Sequence, residues 1–240
     1  MRILSKSPAA ATIAMLALAT LSCARYVPWR NEIPASEVNL AFTLERNLVE
    51  FSTVRLNNRE GRFILATAAP RTVIDPRFSD RTTNILQLSE NETVRLATAA
   101  LDLGGVADAI IGVEPWRSHA ISIDYHGGLV TYQKEGIHRG FMKVFHYEDV
   151  PMIYVNVNGF DVPAIVDTTS PDTVTLPSSG HGRGVAHIRI ADTDFGTIDI
   201  GYANIAQARI GNRLLSRFLV TIDYGKNYVG LWRDPRIPLT

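Results

Sequence analysis

The chain has little cysteine and no net charge. Its 240 residues include one cysteine, Cys23, and 24 basic residues balance 24 acidic ones. No disulfide can therefore form within the chain, so the fold must depend on its hydrophobic core. The charges form no run or stripe of one sign, which argues against a nucleic-acid-binding surface or a charged tail.

Several signatures of catalysis and ligand binding are also missing. The sequence has no glycine-rich phosphate loop after a strand, no serine nucleophile elbow and no heptad run. His181 and His187 are separated by five residues, whereas metal sites favour closer ligands together with a carboxylate. We therefore expect no metal site and no cofactor.

One apolar run stands out, and it is close to the N-terminus. Residues 9–21 are apolar, follow two basic residues and end just before Cys23. The run is too short to span a bilayer comfortably and is typical of an export signal. A lone cysteine here resembles a bacterial lipoprotein signal, although the preceding leucine is two residues away instead of three. Cleavage after Ala19 or Ala24 is the alternative.

These features predict an exported protein. We expect a signal peptide over residues 1–23 and a tether over residues 24–39, which contain two prolines and little periodicity. The protein would then be either a membrane-anchored lipoprotein, held by lipidated Cys23, or periplasmic. Nucleic acid is not an expected partner.

The strongest signal is an internal duplication. Residues 63–76 (FILATAAPRTVIDP) align with residues 164–177 (AIVDTTSPDTVTLP) at an offset of 101. Eight of the 23 positions in residues 54–76 are identical to their counterparts. Ile-Gly and Ile-Asp-Tyr segments also recur later in each copy, at an offset of 99. A period of this length indicates two similar lobes and not a solenoid.

Both copies have the pattern of an all-β fold. Short apolar runs alternate with turn clusters, and Asn158-Gly159 between two such runs is a strong hairpin signal. Many short strands with close turns predict a closed or partly closed barrel in each lobe. We expect an N-terminal lobe over residues 40–135, a linker over residues 136–149 and a C-terminal lobe over residues 150–235.

Residues 165–168, two apolar residues followed by Asp-Thr, resemble the active-site loop of retropepsin-like and pepsin-like aspartic proteases. That family also has an apolar-apolar-Gly segment later in each lobe, which corresponds here to residues 109–112 and 208–211. The resemblance covers residues 40–235. It implies two tandem retropepsin-like β-barrel lobes in a pepsin-like bilobal arrangement.

The resemblance places Asp167 at a catalytic position. In the family, one carboxyl group from each lobe meets the other at about 3 Å, and the two share one proton because both cannot ionise at that distance. The counterpart of Asp167 in the first copy is Ala66, whose methyl group can neither accept nor donate a proton. The site is therefore degenerate by this comparison.

The resemblance also implies residues that support the loops. Thr67 and Thr168 would tie the two loops together, and Thr169 and Ser170 complete the second loop. The third position of each loop is normally glycine but is Ala68 in one copy and Thr169 in the other. A β-branched threonine is stiffer and bulkier than glycine, so we expect the second loop to be reshaped.

Three functions remain open from the sequence. The first is an inactive protease relative that binds a peptide or an envelope protein between its lobes. The second is an active aspartic endopeptidase in which Asp167 works with a non-standard second acid. The third is a structural envelope module without a functional cleft.

Overall fold

A computed structural model of the chain describes residues 37–133 and 142–235, and most of them form strands. The strands of the first copy are β1 (Val38–Glu45), β2 (Leu48–Phe51), β3 (Arg55–Leu56), β4 (Phe63–Leu65), β5 (Val73–Ile74), β6 (Thr83–Gln87), β7 (Thr93–Ala97), β8 (Ala99–Ala100), β9 (Ala109–Ile111), β10 (Ala120–Asp124) and β11 (Leu129–Gln133). A short 3₁₀ helix, Glu114–Trp116, follows β9.

The second copy has a similar order. One strand, β12 (Lys143–His146), precedes it. Its own strands are β13 (Met152–Val157), β14 (Phe160–Val166), β15 (Val174–Pro177), β16 (Gly182–Ile190), β17 (Thr193–Ala203), β18 (Ala208–Ile210), β19 (Leu219–Asp223) and β20 (Tyr228–Trp232). A single-turn helix, α1 (Asn212–Leu215), follows β18 as the 3₁₀ helix follows β9.

The expected signal peptide and Cys23 lie outside the described residues. Most of the tether expected over residues 24–39 is also outside the described residues. Its last three residues are described, and β1 begins among them at Val38. Of the expected linker, residues 136–141 lie outside the described ranges, and β12 forms within the remainder. In residues 37–133 and 142–235, no helix is long and apolar enough to cross a membrane.

The two copies are joined by a shared sheet of 11 strands, in the order β12-β20-β19-β10-β11-β1-β2-β4-β9-β5-β8. Within this sheet β10 of the first copy pairs antiparallel with β19 of the second, and Ser122 is opposite Thr221. These residues occupy equivalent positions in the two copies, and their buried hydroxyl groups lie 2.8 Å apart. The duplication therefore places equivalent residues on both sides of a local two-fold axis.

The second lobe closes into a barrel, in the order β13-β14-β18-β15-β17-β16. Its first hairpin turns at Asn158 and Gly159, which have φ values of +52° and +94°, in agreement with the hairpin predicted from this pair. In the first lobe, β3, β6 and β7 form a separate three-stranded sheet. The hairpin strands β6 and β7 have five residues each, whereas β16 and β17 have nine and eleven.

The expectation of an all-β, two-lobed fold is confirmed. Some strands bury one face, as in β13, where Ile153, Val155 and Val157 are buried and Tyr154 is 58% exposed. This alternation is what a strand with one buried face requires. Other strands, such as β4 and β19, are buried on both faces and read as continuous apolar runs or nearly so.

One buried carboxylate in the first lobe is held by its neighbours. Asp75 Oδ1 accepts hydrogen bonds from Arg77 N and Nε, at 2.9 and 2.8 Å. Its Oδ2 accepts from Arg77 Nη2 at 2.6 Å and from Leu103 N at 3.0 Å. The hydrogen bonds from the Arg77 side chain hold the pKa of Asp75 well below its usual range.

This lowered pKa predicts a pH-dependent contribution to stability. A carboxyl group whose pKa is lower in the folded state stabilises the fold above its ordinary pKa, about 3.9, and loses that effect as the pH falls through the folded value. We expect Asp75→Asn to lower the free energy of unfolding at neutral pH. The difference from the wild type should shrink between about pH 4 and pH 2, as measured by urea unfolding. Asp80→Asn, at an exposed position, is the control, and a pH-independent effect of Asp75→Asn would contradict the prediction.

Candidate functional site

The site consists of two loops that follow β4 and β14 and pack against the two glycine segments. A Cβ atom added to Gly112 would lie 2.6 Å from Arg71 O, and one added to Gly211 would lie 2.5 Å from Asp172 O. Real Cβ atoms do not approach backbone oxygens this closely, so only glycine allows the contact. Each apolar-apolar-Gly segment therefore packs directly against the backbone of the loop in its own lobe.

Two threonines connect the loops across the local two-fold axis. Thr67 Oγ1 donates a hydrogen bond to Val166 O at 2.6 Å and accepts one from Thr168 N at 3.2 Å. In the same way, Thr168 Oγ1 donates to Leu65 O at 2.6 Å and accepts from Thr67 N at 3.1 Å. Both threonines are fully buried. The structure thus brings the two loops together through four reciprocal hydrogen bonds.

Three further polar side chains hold this interlock. Tyr224 OH donates to Thr67 O at 2.9 Å, and Asn212 Nδ2 donates to Thr168 O at 2.7 Å. Tyr125 OH donates to Asn212 Oδ1 at 2.8 Å. Burial raises the pKa of both tyrosine hydroxyls, so they remain protonated donors. Sequence reasoning missed these roles, although both tyrosines are the last residues of the repeated Ile-Asp-Tyr segments.

Asp167 follows β14 directly, and its carboxylate is 3% exposed. Oδ2 accepts a hydrogen bond from Arg209 Nη1 at 2.5 Å, which makes an ion pair. Oδ1 accepts from Thr169 N at 2.9 Å and from Thr169 Oγ1 at 2.5 Å. Among the described residues, the hydrogen-bond partners of the carboxylate are therefore one guanidinium and one threonine, and none is a second carboxyl group.

Ala66 occupies the equivalent position in the first loop. Its backbone N–H donates to Ile111 O at 2.9 Å, as Asp167 N donates to Ile210 O at 3.0 Å. The backbone frame is therefore the same in both loops, whereas the side chain at the first-loop position is a buried methyl group. The side chains at these two equivalent positions are therefore a methyl group and a carboxylate that is paired with a cation.

Thr169, at a position where the family has glycine, explains how the second loop differs. Its hydroxyl and its backbone N–H both donate to the same oxygen of Asp167. Ser170 supports the loop through its backbone, because its N–H donates to Asp167 O at 3.1 Å and its carbonyl accepts from Asn212 N at 2.9 Å. Ala68, in the first loop, is partly exposed and carries no polar group.

Sequence reasoning did not identify Arg209 as a site residue. It is on β18, where its backbone pairs with Ile165 of β14, and β14 leads directly into Asp167. The corresponding residue in the first copy is Ile110. A charged residue inside an apolar-apolar-Gly segment was the signal that could have revealed it.

The histidines contribute little to this site. His187 pairs with Asp194 on the exposed side of the β16–β17 hairpin, with 3.1 Å between Nε2 and Oδ1. Within the part of the chain that the structure describes, no group of three or more potential metal ligands occurs. Cys23, the expected lipidation residue, is outside that part.

Comparison with known proteins relates this arrangement to a fold. No protein-family model matches the chain, and no curated protein matches its sequence. The structure is similar to that of the aspartic proteinase from Irpex lacteus, with a TM-score of 0.58 and 10% sequence identity, over 83% of this chain and 98% of that chain. At this identity the similarity shows the fold alone, which is the two-lobed all-β fold of a pepsin-like aspartic proteinase.

The threonine interlock generates a stability prediction. Thr168→Val keeps the shape of the side chain but removes its hydroxyl, which leaves Leu65 O and Thr67 N buried without these partners. Each buried unpaired group costs roughly 1–3 kcal/mol, so the free energy of unfolding should fall by about 2–5 kcal/mol in urea titrations. Thr197→Val, at an exposed position on β17, should change it by less than about 0.5 kcal/mol. Equal effects of the two substitutions would contradict the role of the interlock.

Proposed function

We propose that this chain is an exported aspartic-protease-like protein that no longer hydrolyses peptide bonds and binds a peptide or an envelope protein between its lobes. The observation that carries the proposal is the state of Asp167. One of its oxygens is paired with Arg209, the other is bonded to Thr169, and Ala66 stands at the opposing position.

The charge arrangement supports a loss of hydrolysis. Catalysis by this class of enzyme needs one carboxylate to polarise a water and a second, protonated carboxyl group to hydrogen-bond the scissile carbonyl. Ala66 cannot supply the second group. Arg209 pairs with Asp167 as a cation. In an aspartic protease, a second carboxyl group would instead share a proton with this residue. Removal of a member of a cooperative catalytic unit costs on the order of 10⁴-fold or more in rate.

The persistence of the loop framework supports binding. The four threonine hydrogen bonds hold the two loops together although one acid is absent. The Arg209 side chain is 43% exposed although its Nε is buried, so its terminal N–H groups can donate to the carbonyl or carboxylate oxygens of a peptide. A cationic donor next to a retained framework favours recognition of a peptide over its cleavage.

We also propose that the protein is exported and attached to a membrane by acylation of Cys23. The apolar segment before this residue and the absence of any other cysteine support this assignment. Ordinary cleavage and release into the periplasm is the alternative outcome.

The proposed function can be tested with one peptide library. The immobilised protein is incubated with peptides from a digested bacterial proteome between about pH 3 and pH 8, the range in which carboxyl dyads work. We expect mass spectrometry to find retained peptides that are intact, both for the wild type and for Asp167→Asn. Cleavage by the wild type that Asp167→Asn abolishes would establish the endopeptidase alternative. Neither retention nor cleavage would favour a structural module.

A set of variants provides the control. Ala66→Asp alone should remain inactive, because Arg209 still pairs with Asp167. The triple variant Ala66→Asp/Thr169→Gly/Arg209→Ile removes both side chains that are bonded to Asp167 and supplies the second acid, with isoleucine taken from the first-copy position Ile110. If the framework is intact and only the acids are blocked, this variant should cleave peptides at acidic pH.

Lipid attachment predicts incorporation of a labelled fatty acid. In a bacterium grown with alkyne-palmitate, the wild-type protein should acquire the label and remain in the membrane fraction. Cys23→Ser should abolish labelling, because serine lacks the thiol that is acylated. An unlabelled wild-type protein in the periplasmic fraction would show that the ordinary secretory cleavage is correct.

A further inference from the structure

The second lobe contains a cavity of about 430 Å³. The start of β16, the end of β17 and the segment after Asp167 form its walls. The volume is within the range of small-molecule sites, roughly 300–1,000 Å³. The titratable residues that line it are Asp172, His181, Arg183, Asp199, Tyr202 and Arg213.

The charges around this cavity are balanced and free. Arg183 and Arg213 face the same space as Asp172 and Asp199. Among the described residues, none of these four side chains has an ion pair or a hydrogen bond, which distinguishes them from Asp167 nearby. A ligand with a single charge would meet as much repulsion as attraction here, whereas a ligand with both charges can satisfy both pairs.

We propose that this cavity binds a small zwitterion with one ammonium and one carboxylate group, of the size of an amino acid or a dipeptide. The arginines would receive the carboxylate, for which their paired N–H donors are suited. The aspartates would accept hydrogen bonds from the ammonium group. The proposal goes beyond the role of Asp167 and does not depend on whether that residue is catalytically silent.

Two glycines leave the space that a ligand would fill. Gly201 pairs with Thr175 on one side and with Arg183 on the other, so no side chain separates these neighbours. A Cβ atom added to Gly182 would meet nothing within 4 Å, whereas one added to Gly201 would lie 3.3 Å from Thr175 Oγ1. Successive side chains of a strand point to opposite faces, so the space beside Arg183 is the one that its partner Gly201 leaves open.

The first lobe has different side chains at the equivalent positions. Asp172 corresponds to Arg71, Thr175 to Ile74 and Arg213 to Glu114. Glu114 Oε2 accepts hydrogen bonds from Thr72 N and Oγ1, at 2.7 and 2.9 Å, so this carboxylate is bound within its own lobe. Ile74 is buried in the core. The duplicated scaffold does not itself require the unpaired charges, which are a property of the second lobe.

The cavity is next to the loop that carries Asp167. Arg213 N donates to Asp172 O at 3.2 Å, which fixes the backbone between the two charged side chains. Thr175, at the wall of the cavity, pairs with Arg209 in the sheet. The cavity and the Asp167–Arg209 ion pair are therefore connected through the backbone of β15 and β18.

The proposal can be tested by titrating the full chain, purified in detergent micelles, with the dipeptide L-alanyl-L-alanine in a calorimeter. We expect saturable binding. Acetylation of the amino group or amidation of the carboxyl group should each weaken binding at least about tenfold, since each removes one charge-assisted contact. Absence of saturable binding, or equal binding of the blocked dipeptides, would overturn the proposal.

Two substitutions locate the binding in the cavity. Arg183→Gln and Arg213→Gln should each remove one positive charge from the cavity, and each should weaken binding at least about tenfold. The control is Arg189→Gln, on the exposed face of the same strand β16 and outside the cavity. A thermal melt shows whether each variant is folded, and either variant gives an independent result if the other is not. Wild-type binding by the folded variants would place the dipeptide elsewhere and disprove the site.

Discussion

The interlock of Thr67 and Thr168 is the constraint on which the rest of the site depends. The backbone N–H and the hydroxyl of each threonine are hydrogen-bonded to the opposite loop. Neither loop can therefore move without breaking buried hydrogen bonds of both threonines. Tyr224 and Asn212 hold the carbonyl groups of the same two residues. Because buried polar groups must be paired, this network fixes the loops whether or not a catalytic pair is present. It holds the two loops together around Ala66 in one lobe and Asp167 in the other.

The ion pair between Asp167 and Arg209 changes the chemistry that this framework presents. A buried carboxylate needs either a proton or a cation, and Arg209 supplies the cation where a second carboxyl group would have shared a proton. Thr169 then occupies the other oxygen through its hydroxyl. The two substitutions that the alignment of the copies reveals, Ala66 and Thr169, therefore belong together with a third, Arg209. Together they place the Asp167 carboxylate in an ion pair with Arg209 and in hydrogen bonds with Thr169. The Arg209 side chain is itself partly exposed.

The two lobes have diverged from one pattern in a way that depends on strand length. The hairpin of β16 and β17 is long enough for one strand to reach β13 and the other to reach β15, which closes the second barrel. The shorter β6 and β7 pair only with each other and with β3. The second lobe also has the cavity lined by Asp172, Asp199, Arg183 and Arg213, whose side chains have no ion pair or hydrogen bond among the described residues. The second lobe thus carries both Asp167 and the cavity.

The sequence by itself determined the duplication, the all-β class, the Asn158-Gly159 hairpin and the position of Asp167 opposite Ala66. These follow from local patterns, since strand alternation, turn residues and repeated loops are encoded by neighbours along the chain. Only the tertiary structure decided what surrounds Asp167. Arg209 is 42 residues away in sequence and reaches the carboxylate because β18 pairs with β14. The same holds for Tyr125, Tyr224 and Asn212, whose partners lie in distant segments. Such contacts depend on strand pairing over long separations, which no short motif specifies.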